Sequence, residues 1–91
     1  MKQFRGTKKV YENSEFIVIQ AEGSFIVVNK FKPFKQGHTH ITGFDTAMWL
    51  TRLSRKHVIP KKISGYLLEG LIRISRDETY VKQLLDIQSG V

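Results

Sequence analysis

Residues 15–31, EFIVIQAEGSFIVVNKF, constrain the fold more than any other part of the chain. Phe16-Ile17-Val18-Ile19 and Phe25-Ile26-Val27-Val28 are β-branched and aromatic runs that suit a pleated, half-buried surface. Between them lie Glu22-Gly23-Ser24, where the glycine supplies the positive φ of a tight turn. The segment predicts a β-hairpin. Lys9-Val10-Tyr11-Glu12 predicts a short strand before it, and His38-Thr39-His40-Ile41-Thr42 one after it, giving an antiparallel meander of three to four strands.

After Gly43 the apolar period changes from two to 3.6. Asp45 or Thr46 is placed to cap a helix with Trp49, Leu50 and Leu53 on one side. Arg52, Arg55 and Lys56 fall roughly 130° away at helical spacing. Pro60 is expected to stop or kink that helix. Ile63, Leu67, Gly70, Leu71 and Ile74 form a second stripe, widened by Leu68 and Ile72, with Glu69 and Arg73 spaced as an i,i+4 ion pair. Ser75-Arg76-Asp77-Glu78 fits a capping box for a third helix through Tyr80, Val81, Leu84 and Ile87. Strands first and helices after is the order of an α+β fold, with two to three helices packed on one face of the sheet. The expectation is one domain spanning residues 1–91, since a chain of this length buries roughly 60–65% of its unfolded surface in a single core.

With no cysteine, disulfides, thiolate metal sites and cysteine nucleophiles are excluded. No window approaches the roughly 20 apolar residues of a membrane span, and the N-terminus has no secretory leader pattern, so a soluble cytoplasmic protein without membrane contact is expected. The net charge of +7 is unevenly spread. Residues 1–35 carry +4, residues 36–51 carry −1 from Asp45, residues 52–62 carry +5 with no acid, and residues 63–91 carry −1. A basic surface of this kind concentrates a polyanion.

Chemistry-bearing residues gather in KFKPFKQGHTHIT, residues 30–42. In a strand His38 and His40 point to one side and offer two imidazoles, but neither His57 nor Asp45, Glu12, Glu15 or Glu22 stands at a spacing that completes a metal site, so no metal and no cofactor are expected. His40-Ile41-Thr42 resembles one copy of the H-x-T signature of two-histidine phosphoesterases, whose chemistry uses two. The phosphate-loop, dinucleotide, nucleophile-elbow and zincin motifs are absent, and the protein is not expected to be an enzyme.

The same stretch suits nucleic acid. Lys30 and Lys32 would project to one side at a strand end, Phe31 would continue the hairpin into the core, and Pro33 would place Phe34 and Lys35 in a loop. Lysines contact phosphates, and an exposed aromatic stacks on an unpaired base for about 1–3 kcal/mol. Arg52, Arg55 and Lys56 would extend the phosphate contacts, with Lys61 and Lys62 at the N-terminus of the second helix, and His38 and His40 as polar contacts. The segment His38–Ser75, a short strand and two helices, also resembles in outline the ribbon–helix–helix repressors, which implies strands paired across a homodimer and His38, His40 and Thr42 facing base edges. The competing expectation is a protein-interaction module that uses the wide stripe of the second helix with Tyr66 and Trp49, its basic charge serving solubility.

Overall fold

The hairpin forms where the two β-branched runs place it. In the computed structural model, which describes residues 6–90, β2 (Phe16–Ala21) and β3 (Ser24–Asn29) pair antiparallel from Phe16↔Asn29 to Ala21↔Ser24, and Gly23 turns them at φ 79°. Ser24 belongs to the strand, so the loop is the two-residue Glu22-Gly23. β1 (Lys8–Glu12) pairs with β2 through a bulge between Lys9 and Tyr11, and β4 (His38–Ile41) pairs with β3. The sheet order β1-β2-β3-β4 is the expected meander. Asn13 bends the chain from β1 into β2, its Oδ1 accepting from the backbone N–H groups of Glu15 and Phe16 at 2.8 and 2.7 Å. Alternation along the strands sends Phe16, Val18, Val27 and Ile41 into the core with the helices, and leaves Ile17, Ile19, Val28, His38 and His40 on the other face.

Three helices follow: α1 (Phe44–Lys56), α2 (Gly65–Ile74) and α3 (Glu78–Gln88). Their ends differ from the sequence expectation. α1 starts at Phe44, with Gly43 at its N-cap and no side-chain cap, so Asp45 and Thr46 lie inside the first turn. Phe44 sets this start by packing on Phe25, ring centroids 5.6 Å apart. The helix ends before Pro60, because His57 takes the left-handed conformation at φ 54° while the N–H of Val58 returns to the Leu53 carbonyl at 2.9 Å. α2 is capped by Ser64, whose hydroxyl accepts from the Leu67 N–H, so Lys61 and Lys62 lie in a bend ahead of the helix and not in its first turn. α3 is capped by Asp77, not Ser75. Ser75 is buried and closes α2, donating to the Leu71 carbonyl at 2.6 Å and meeting the Ser54 hydroxyl at 2.8 Å.

The core lies between the sheet and α1 and α2, with α3 closing it through Tyr80 and Leu84. Burial pushes the Tyr80 phenol up to about 12, and its hydroxyl donates to the Val58 carbonyl at 2.6 Å. α2 lies close over β4: a Cβ on Gly70 would stand 2.9 Å from Thr39 Oγ1. At that approach Arg73 Nε donates to the His38 carbonyl at 2.8 Å and the Tyr66 hydroxyl to the His40 carbonyl. Side chains of α2 thus occupy the outward carbonyls of β4, a protected sheet edge. This overturns the ribbon–helix–helix outline, which needs that edge free to pair with a second subunit. Arg73 is likewise committed to β4 and not to Glu69, which accepts from Gln88.

Candidate nucleic-acid interface

The segment after β3 is organised by Asn29. It continues the inward register of Phe25 and Val27 and is fully buried. Its Nδ2 donates to the Ile74 carbonyl at 2.8 Å and to Glu15 Oε2 at 3.0 Å, and its Oδ1 accepts from the Phe31 N–H at 2.8 Å. The chain therefore turns at Lys30, and the strand alternation that would put Lys30 and Lys32 on one side stops there. Lys30 stays on the open side, its Nζ 2.7 Å from Glu12 Oε2 and 3.0 Å from the Asn13 carbonyl. Lys9 grips the other oxygen of Glu12 at 2.6 Å, and hydrogen bonds from Lys30 and Lys9 hold the Glu12 carboxyl at about 2 instead of 4.5. Lys32 turns toward the helices and donates to the carbonyls of Arg73 and Ser75 at 2.8 and 3.0 Å. Burial, and then the charge of Arg73, pull its ammonium below the usual 10.5. Asn29 and Lys32 together satisfy the three consecutive carbonyls of residues 73–75, where α2 ends.

Gly37 makes room for this arrangement, since a Cβ there would lie 2.5 Å from Lys32 Cβ. Phe31 is not in the core. It is 60% exposed, with the Arg76 guanidinium 4.2 Å above its ring, because the turn at Lys30 carries it out of the hairpin register.

Phe34, His38 and His40 are brought together. The Phe34 ring stacks on His38 at 4.2 Å and 4°, and His40 meets His38 edge-on at 5.4 Å. His38 Nδ1 lies 2.5 Å from the Phe34 carbonyl, which fixes the loop to the strand. The result is a row of rings at the β4 margin of the open sheet face, Phe34 and His40 exposed and His38 between them half-buried. Lys35 beside it is exposed and has no ion pair among the described residues, while its carbonyl is held by Arg73.

The second basic group has a different character. Ala47, Leu50, Thr51 and Ser54 form the buried stripe of α1, and Arg52 and Lys56 lie on the helix side opposite it, with Arg55 on the flank. Arg52, Arg55, Lys56, Lys61 and Lys62 are all exposed and make no ion pair among the described residues. The α1 strip of this group, Arg52, Arg55 and Lys56, belongs to the outer side of the helix layer, whereas the Phe34–His40 row belongs to the sheet face turned away from the helices. The strip and the row do not share a face.

His57 is separate from both, stacked on Tyr80 at 5.1 Å in a polar cleft of about 510 Å³. Glu15, Asp77 and Glu78 line that cleft together with Arg76, so its carboxylates outnumber its one guanidinium. Among the described residues no group of three or more histidines and carboxylates is placed to hold a metal ion, and no helix is long and apolar enough to cross a membrane. Asn29, Arg73 and Arg76 were missed as organising residues. Asn29 had a signal, a polar side chain in the inward register of an apolar strand, whereas the two arginines had none, because their partners are carbonyls and rings distant in sequence. The chain matches no protein-family model, no curated protein and no solved structure.

Proposed function

We propose that the protein is a non-catalytic nucleic-acid-binding domain whose phosphate contacts come from the α1 strip and the segment after it, Arg52, Arg55, Lys56, Lys61 and Lys62. The observation that carries this reading is five exposed cations within residues 52–62 with no acid in the segment and, among the described residues, no ion pair on any of them. Such charges keep condensed counterions that a phosphate backbone displaces, and each contact contributes about 0.9 to the salt slope on duplex DNA. Lys30 and Lys32 leave the contact set, one held in an ion pair with Glu12 and the other employed as a helix cap. Phe34, His38, His40 and Lys35 form a second, stacking contact, reached only by a flexible single strand passing round the domain, whose smaller extents are 23 and 19 Å.

The test is fluorescence anisotropy with labelled single-stranded and duplex DNA and RNA at about 50 and 200 mM salt. Affinity that falls by orders of magnitude across that range supports the reading. No binding at the lower salt overturns it.

A further inference from the structure

Between the loop of residues 30–37 and the outer sides of α2 and α3 runs an open groove of about 470 Å³. Ile72, Val81 and Leu85 form its apolar floor. Leu85 is 45% exposed, although it stands on the same side of α3 as the half-buried Val81. Lys32, Arg73, Arg76 and Lys82 surround this floor from four separate segments, the loop after β3, α2, the α2–α3 connection and α3, against the single carboxylate of Glu78. The backbone carbonyls that hold Arg73 orient its charge without neutralising it, while the Lys32 ammonium is committed to the end of α2. Lys82 makes no ion pair among the described residues, and Arg76 divides its contacts between Glu15 and the Phe31 ring.

An occupant must answer both an apolar floor and a positive rim. A nucleic acid answers the rim and has nothing for Leu85. A second copy of this chain brings a further +7 to a surface already positive. A single-headed anionic lipid matches one cation and leaves those on the other elements unmatched. A helix with an apolar stripe at i, i+4 and i+7 flanked by carboxylates matches both features at once. We propose that this groove docks an acidic amphipathic helix of another protein, its apolar side chains against Ile72, Val81 and Leu85 and its carboxylates facing Arg73, Arg76 and Lys82.

The probe is a fluorescein-labelled synthetic helix of about fifteen residues with a leucine stripe flanked by glutamates, alongside a counterpart with every glutamate replaced by lysine. The acidic peptide is expected to bind the full chain, and the basic counterpart to bind about tenfold more weakly or not at all. Leu85→Glu and Lys82→Glu, both at exposed positions, each weaken the acidic peptide about tenfold with an unchanged circular dichroism spectrum. Amide shifts on titrating the wild-type chain centre on residues 72, 81 and 85. Arg52→Ala/Arg55→Ala/Lys56→Ala leaves peptide affinity unchanged, so failure here is distinct from failure of the nucleic-acid reading. Absence of binding, equal binding of the two peptides, or shifts centred on residues 52–62 overturns the proposal.

Discussion

Lys32 and Lys62 are the same residue type in two lysine-rich segments, and the fold employs them in opposite ways. Around residue 30 the chain passes the end of α2, where three carbonyls need donors, and a lysine ammonium there is drawn inward. Around residue 60 the chain crosses between two helices whose ends are already closed, by the His57 turn and the Ser64 cap, and its lysines stay in solvent. The density of positive charge along a sequence therefore does not measure the charge available to a partner. What decides it is whether unpaired acceptors lie within reach of each side chain.

The largest effect that would sharpen this contrast is on stability. Asn29→Ala strands the buried Ile74 carbonyl, removes the acceptor of the Phe31 N–H and is expected to cost about 2–3 kcal/mol, read as a lowered urea midpoint at constant m. Lys32→Met removes the donors to the Arg73 and Ser75 carbonyls and should cost about 1–2 kcal/mol, while the salt dependence of nucleic-acid binding stays unchanged. A neutral Lys32→Met would break the comparison by showing that the cap contributes nothing. Arg52→Ala/Arg55→Ala/Lys56→Ala should reverse the pattern, changing stability by less than about 0.5 kcal/mol per site.

The smallest effect belongs to Glu12. Its carboxyl titrates near 2 in the folded chain against an ordinary 4.5, so its contribution is present above 4.5 and is lost as pH falls from there toward 2. Glu12→Gln should remove that part of the acid dependence, visible as converging wild-type and variant unfolding midpoints at the acid end. Midpoints that stay equally far apart across this range would show that Lys9 and Lys30 do not hold the carboxylate.

Much of the fold was legible because it rests on local pattern. The period of two in residues 15–31, the glycine at 23 and the shift to 3.6 after Gly43 are each carried by neighbouring residues, and the α+β meander follows from them. Helix ends were less legible. The His57 turn and the buried role of Ser75 depend on contacts with Leu53, Leu71 and Ser54 that no cap motif announces. The candidate site divided in the same way. Strand parity foretold that His38 and His40 share a face, and helical spacing foretold an exposed Arg52 and Lys56. The fates of Lys30, Phe31 and Lys32 turn on Asn29 and on the distant end of α2, and the pattern of residues 30–35 alone says nothing of either.

The most direct test compares salt slopes. Log affinity for a duplex should be measured against log salt for the wild type, for Arg52→Ala/Arg55→Ala/Lys56→Ala, and for Lys30→Ala/Lys32→Met under conditions where each is folded. The account predicts a slope smaller in magnitude by about 2.7 for the α1 variant and no change for the loop variant. An unchanged slope for the α1 variant, with a reduced one for the loop variant, would contradict it and return the phosphate contacts to residues 30–35.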